Sequence, residues 1–138
     1  MRFVNNKKPR VVDLFSGCGG LNEGFKRAGF KTLVSNDVWH PAKETFENNN
    51  DSTDFILGDI TQKKIRDKII SIGEKADVII GGPPCQAYSV AGRVKLQNNE
   101  GFKHDDRHFL YREYLRIVAK HQPAVFVMEN VKGILSSR

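Results

Sequence analysis

Short apolar runs rich in β-branched residues alternate about five times with amphipathic stretches, and this alternation limits the fold more than any other feature of the chain. Residues 10–15 (Arg-Val-Val-Asp-Leu-Phe) read as a strand that runs straight into glycines. Residues 20–29 then read as a helix with Leu21, Phe25 and Ala28 on one face and Gly29 at its end. A strand is predicted over 31–37 and a helix over 41–49, with Pro41 in its first turn. A short strand over 54–58 and a helix over 62–72 follow. The apolar run at 76–81 has the composition of a parallel strand buried on both faces. A helix over 106–120 and a strand over 123–128 complete the series. The expected fold is therefore α/β, an open Rossmann-like parallel sheet with helices on both faces.

In such a sheet, ligands bind beyond the C-terminal ends of the strands. The special residues of this chain collect at those ends: Phe15-Ser-Gly-Cys-Gly-Gly20, Asn36-Asp37, Gly58-Asp59, Gly81-Gly-Pro-Pro-Cys85 and Glu129-Asn130. About twenty residues between Cys85 and Asp105 show little periodicity, the mark of a functional lid or a disordered loop.

The net charge of +6 favours a polyanionic partner without proving one. No apolar run approaches the ~18 residues of a membrane span, and the N-terminus lacks the apolar core of a signal peptide. The two cysteines, Cys18 and Cys85, are far apart, as expected of free thiols in a reducing compartment. His40, His104, His108 and His121 show no zinc-ligand spacing with them, so no metal is expected.

Gly17, Gly19 and Gly20 sit between a strand and a helix, where glycine permits a tight turn and close approach of a ligand. Asp37 follows about twenty positions later, suited to ribose hydroxyls. This is a nucleoside-binding pattern shared by NAD, FAD and S-adenosylmethionine proteins. The spacing G-x-G-G departs from the dinucleotide pattern G-x-G-x-x-G, and a plain strand-to-helix turn is the simpler alternative. Asp59 is suited either to accept from an adenine amino group, with Val38 and Ile60 sandwiching the ring, or to cap the next helix.

Gly81-Gly-Pro-Pro-Cys85-Gln86 is the strongest motif, because glycines and prolines dictate an unusual backbone path that delivers a thiol to the site. Cys18, between the turn glycines, reads instead as a packing residue. Glu129-Asn130-Val131 ends the last strand, and if that strand neighbours the one before Cys85, a carboxyl group stands beside a nucleophile.

Together these segments resemble the cytosine-C5 DNA methyltransferase family over residues 11–135. Asp13-Leu-Phe-Ser-Gly-Cys-Gly-Gly20 is similar to its first motif, Asp37 and Asp59 to the acids of its second and third, and Gly82-Pro-Pro-Cys-Gln86 to its nucleophile motif. Asp106-Arg107 through Leu110 resembles its fifth motif and Met128-Glu-Asn-Val131 its sixth. The resemblance implies S-adenosyl-L-methionine as methyl donor and S-adenosyl-L-homocysteine as product. It places Phe15, Ser16, Gly17, Gly19, Gly20, Leu21, Asp37, Val38, Asp59, Ile60, Pro83 and Leu110 at the cofactor. Trp39 stands one position beyond the expected adenine contact, which Val38 supplies.

The implied substrate is a cytosine flipped out of duplex DNA, since C5 and C6 are unreachable in the stack. Cys85 attacks C6, Glu129 holds N3 and the exocyclic amine, and Arg107 is a further catalytic candidate. Pro84, Gln86, Ser89, Arg93, Asn130 and Val131 fall on the substrate side, with Ser89, Arg93 and Lys95 suited to phosphates. A free cysteine titrates near about 8.5, so Cys85 needs a basic neighbour or a helix N-terminus.

The family's Gln-x-Arg-x-Arg motif, target-recognition region and late helix are not found in these residues. Residues 1–138 are accordingly expected to be a partial catalytic domain whose sheet leaves its fifth strand with an open edge, active only with a second chain or segment. The expected setting is a restriction-modification system in bacterial cytoplasm, at the nucleoid. A non-catalytic subunit, a nicotinamide oxidoreductase and a tRNA-methylating relative remain as alternatives.

Overall fold

The computed structural model describes residues 7–50, 52–84 and 109–132. Its elements run β1 (Arg10–Leu14), α1 (Gly20–Arg27), β2 (Lys31–Asp37), α2 (His40–Asn49), β3 (Asp54–Leu57), α3 (Lys63–Ile72), β4 (Val78–Gly81), α4 (Leu110–His121) and β5 (Val125–Met128). The strands form one sheet in the order β3-β2-β1-β4-β5. Every neighbouring pair is parallel. The predicted alternation is thus realised, with boundaries moved by a few residues. β5 starts at Val125 because Pro123 has no N–H to give the ladder. The predicted helix residues 106–108 lie outside the described residues.

Parallel strands require crossovers, and here the helices divide between the two faces. Val12 and Leu14 of β1 point to one side, into a core with Ile56, Ile69, Ile79, Tyr114 and Ile117 beneath α3 and α4. Val11 points to the other, where Val78 and Ile80 meet Leu21 and Phe25 of α1 and the nearby Phe30. On that side Phe46 of α2 packs its ring against Phe55, centroids 5.1 Å apart. Each side chain follows the two-residue period of its strand.

The helix ends explain why the crossovers are tight. Gly29 adopts φ 91°, and the N–H groups of Phe30 and Gly29 donate to the carbonyls of Phe25 and Lys26, closing α1 and returning the chain to β2. The expected inward face of α1 is corrected at one position: Ala28 lies past the helix and is exposed, and Phe30 occupies the apolar place instead.

Tyr114 is fully buried and sits over β4 and β5. Its hydroxyl shares one proton between the carbonyls of Ile79 at 3.1 Å and Val127 at 3.0 Å. Burial and the nearby Asp13 raise its pKa well above that of an ordinary phenol, so it stays a neutral donor. β5 is the sheet's edge among the described residues. Its Val125, Phe126 and Val127 are 54%, 49% and 38% exposed, so alternate positions on both faces lack full cover.

Gly81 is where β4 passes closest to β1. A Cβ there would lie 2.2 Å from the Leu14 carbonyl oxygen and 3.1 Å from Cε2 of Tyr114. Backbone cannot retreat inside a parallel ladder. Gly81→Ala is therefore expected to destabilise the fold by about 2–3 kcal/mol, read as a lower urea midpoint with unchanged slope.

Candidate functional site

β2 and β3 lie on one side of β1, and β4 and β5 on the other, so the connections diverge where β1 meets β4 and open a crevice at their C-terminal ends. A cavity of about 630 Å³ occupies this end of the sheet. Its β2–β3 wall carries Asp37, Val38, Asp59, Ile60 and Thr61; Phe15 and Gly82 come from the ends of β1 and β4; Leu110 and Glu113 come from α4.

The turn after β1 is held in an unusual shape. Phe15, Gly17 and Gly19 adopt φ 54°, 51° and 88°. Ser16 N–H donates to the Asn36 carbonyl at 3.0 Å, and Gly17 N–H to Oδ2 of Asp37 at 2.9 Å. The other oxygen of Asp37 accepts from Trp39 N–H at 2.9 Å. One carboxylate therefore anchors both the glycine turn and the start of the β2–α2 connection. Carboxylates suit this task, because charge-assisted bonds to backbone N–H are strong and short.

Beneath it, Asn36 is 1% exposed and donates through Nδ2 to the carbonyls of Ile56 at 2.8 Å and Gly58 at 3.0 Å. This fastens the ends of β2 and β3 together. Asp59 accepts at Oδ1 from Thr61 N–H at 2.8 Å. It shapes the turn before α3 and does not cap that helix, whose N-cap is Gln62. Val38 is 70% exposed at the cavity, a bare apolar surface of the kind that a flat ring covers.

On the other side, β4 and β5 are neighbours, with Gly81 opposite Met128. Glu129 N–H donates to the Gly81 carbonyl at 2.9 Å. Its Oε2 lies 2.8 Å from where a Cβ on Gly82 would be, so the absent side chain at Gly82 makes room for this carboxyl group. Asn130 Nδ2 donates to the Pro83 carbonyl at 3.1 Å. The Glu129-Asn130 pair is thus fastened to Gly82-Pro83-Pro84, the segment leading to Cys85, and Gly82 and Pro84 face the cavity.

Of the residues expected at a cofactor, Phe15, Asp37, Val38, Asp59, Ile60 and Leu110 line the cavity, as does Pro84 from the substrate group. Ser16, Gly17, Gly19, Gly20, Leu21 and Pro83 are not part of that lining. Gly17 spends its N–H on Asp37, a Cβ on Gly19 would lie 2.7 Å from the Phe46 ring, and Leu21 packs with Val11 and Val78. Cys18 is exposed, which corrects the expectation of packing: the left-handed turn at Gly17 directs it to solvent. Cys85, Gln86, Ser89, Arg93, Lys95 and Arg107 lie outside the described residues. Asn36, Gly58 and Gly82 come to the lining from the expected strand-end clusters, and Thr61, Phe109 and Glu113 join it without having been expected there. Glu113 gave no sequence signal, since one acid on an amphipathic helix reads as a solvated face.

Asp13 lies just below the turn, 1% exposed, and its Oδ2 has no partner among the described residues. The Ser35 hydroxyl, opposite it in register on β2, is likewise without one. Burial, reinforced by the negative charge of Asp37, pushes the Asp13 carboxyl up to about 8.

Three comparisons with known proteins bear on this site. Residues 9–138 match the model of the C-5 cytosine-specific DNA methylase family. The type II methyltransferase M.FnuDI of Fusobacterium nucleatum is 42% identical over 94% of this chain and 34% of its own length. The type II methyltransferase M.AquIA of Picosynechococcus is 39% identical over 92% of this chain and 50% of its own length. The crystal structure of an Escherichia coli prophage protein described as a DNA modification methyltransferase superposes with a TM-score of 0.72 at 33% identity, covering 93% of this chain and 33% of that one. The chain thus spans about a third to a half of the length of these relatives.

Asp13 makes stability depend on pH with a definite sign. Its pKa rises from 3.8 to about 8 on folding. Below the lower value both folded and unfolded chains hold the proton, and the group has no effect. Between the two values only the folded chain keeps it, so stability falls as pH rises, by at most about 1.4 kcal/mol per pH unit. Asp13→Asn removes this dependence. Its stability relative to wild type, from urea midpoints, is expected to improve steadily from about pH 5 to about pH 8. A difference that stays constant would mean that Asp13 is already ionised at the lower pH.

Proposed function

Because the chain belongs to the C-5 cytosine-specific DNA methylase family, we propose that it forms the cofactor-binding and catalytic part of an enzyme that methylates C5 of cytosine in duplex DNA. The observation that supports this reading is the space that Gly82, which lines the cavity, leaves for the Glu129 carboxyl group, beside the Pro-Pro segment leading to Cys85. The Glu129 carboxyl group thus stands next to the segment that borders the crevice, whose other wall offers two acids and an apolar face.

The cavity fits S-adenosylmethionine in chemistry. Asp37 and Asp59 offer acceptor oxygens for ribose hydroxyls and an adenine amine, Val38 offers an exposed apolar face, and Leu110 closes the far wall. Phe15 borders the turn that serves the methionine end. Bound there, the cofactor supplies an electrophilic methyl group on a sulfonium. The carboxylate of Asp37 is already tied by Gly17 and Trp39, so it is oriented before a ligand arrives.

On the substrate side, the thiolate of Cys85 forms a bond to C6 of a flipped cytosine. The electron pair of the C5–C6 double bond moves toward C5, while Glu129 holds N3 and the exocyclic amine and favours a proton at N3. Asn130, with Val131 beside it, fixes the Glu129 backbone by its bond to Pro83. After transfer, a base removes the C5 proton and Cys85 leaves as thiolate. Gln86, Ser89, Arg93 and Arg107 are proposed to contact the base and the DNA backbone. The type II names of the relatives support a restriction-modification role, in which the enzyme acts on bacterial DNA.

The open β5 edge supports one further element of the reading. Val125, Phe126 and Val127 expose apolar surface at an edge that natural sheets cover or pair. We assign this surface to the polypeptide that makes up the remaining length of the relatives, as a continuation or a second chain, with the DNA-reading region in it. Methyl transfer from labelled cofactor to duplex DNA is expected with that polypeptide present and weak without it. Equal rates in both cases would remove the requirement.

The chemical reading is tested with 5-fluorocytosine duplex DNA in the assembled protein. A denaturation-resistant adduct is expected for wild type and none for Cys85→Ser, whose transfer rate falls by several orders of magnitude while S-adenosylhomocysteine still binds. An adduct in the variant would sink the assignment of Cys85.

A further inference from the structure

The cavity wall on α4 is tied to the β3–α3 turn through an ion pair. Arg66, on α3, directs Nη1 at Oε2 of Glu113, on α4, at 3.1 Å; the two side chains are 16% and 14% exposed. The same Nη1 donates to the carbonyl of Ile60 at 3.1 Å and to that of Thr61. Glu113 also accepts from Nη1 of Arg116, at 2.7 Å through Oε1 and 2.8 Å through Oε2.

Ile60 and Thr61 line the cavity from the β3–α3 turn, and Glu113 lines it from α4. Asp59, beside Ile60, points a carboxylate toward it from a turn whose shape depends on those carbonyls staying in place. Leu110 lies three residues before Glu113 and on the same side of α4, so whatever fixes Glu113 fixes Leu110. A pair this well shielded is not a surface decoration: screening is low, and removing Glu113 leaves the Arg66 charge without its carboxylate, while removing Arg66 leaves Glu113 paired with Arg116 alone. It also bonds main-chain carbonyls, which a generic packing contact would not.

We infer that Arg66 and Glu113 form a positioning pair that sets the separation of the two walls around the purine end of the bound cofactor, and so controls cofactor affinity. The inference rests on the S-adenosyl reading of this cavity and deepens it. Neither residue touches the reacting atoms. Their effect passes through the Asp59–Thr61 turn and the first turn of α4. All three contacts run through one nitrogen, Nη1, held at that point by the length of the arginine side chain; a lysine, with a shorter stem and a freely rotating ammonium, places its charge elsewhere.

The test measures S-adenosylhomocysteine binding by calorimetry and melting by circular dichroism, for wild type, Glu113→Gln, Arg66→Lys and the double variant. Each single change keeps a polar group of similar size in place, so the fold is expected to survive. Each is expected to weaken binding about five- to tenfold, and the double variant no more than the weaker single, because the two residues act as one unit. In the assembled enzyme, the cofactor KM rises by the same factor while kcat stays within about twofold. Single variants that bind as wild type does, or losses that multiply in the double variant, overturn the inference and leave the S-adenosyl reading intact. A lower melting temperature with unchanged affinity overturns it in the same way, since that is the mark of a purely structural pair. No binding by wild type itself overturns both.

Discussion

The pairing of β1 with β2 on one side and β4 on the other is the constraint on which the rest of the structure depends. A central parallel strand has no free edge and no wet face, which is why Val11, Val12 and Leu14 are fully buried and why Gly81 must lack a side chain. The same pairing puts α1 and α2 on one face of the sheet and α3 and α4 on the other, and leaves a crevice at the strand ends. Packing and site are consequences of one arrangement: residues that would clash or be unpaired inside the ladder become useful immediately beyond it.

The crevice is built in two halves with different physics. The β2–β3 half is electrostatic. The Asp37 carboxylate gathers two backbone N–H groups, and the buried Asn36 amide gathers two carbonyls. The turns are thereby held in place without help from a ligand. Asp13 lies below them as a buried carboxyl that burial and Asp37 keep protonated through most of the neutral range. A second negative charge packed under the turn would repel that of Asp37, and neutrality avoids that. The β4–β5 half is built by sterics. Gly82 clears space for Glu129, and the Asn130 amide holds the carbonyl of Pro83. Tyr114, neutral and buried, ties β4 to β5 from below and keeps these two strand ends in register.

The comparisons fit this division. Membership of the methylase family accounts for the convergence of a nucleoside-type wall and a carboxyl beside a Pro-Pro segment, and it displaces the nicotinamide alternative. The chain covers about a third of M.FnuDI and half of M.AquIA. Among the described residues β5, a strand with the composition of a sheet interior, stands at an edge, and its exposed apolar side chains are the surface proposed to meet the remaining length.

Much of this was legible in the residue order. Alternating apolar runs and amphipathic stretches announced the parallel sheet, because side-chain periodicity is a local property. The clustering of glycines, acids and prolines at predicted strand ends announced the crevice, because in an open parallel sheet those ends share one side. Asp37, Val38 and Asp59 could be named for the same reason, and Leu110 through the resemblance to the family's fifth motif. What the residue order could not state was strand adjacency and crossing contacts. That Glu129 would lean on Gly82 depends on β5 lying next to β4, and Glu113 reaches the cavity only because α4 packs beside α3 and meets Arg66. The exposure of Cys18 goes with the left-handed backbone at Gly17 and Gly19 on either side of it. Periodicity and turn chemistry are written into successive residues. Distances between segments far apart in the chain are set by how the apolar faces of separate elements bury one another, and that is settled only when the whole core packs.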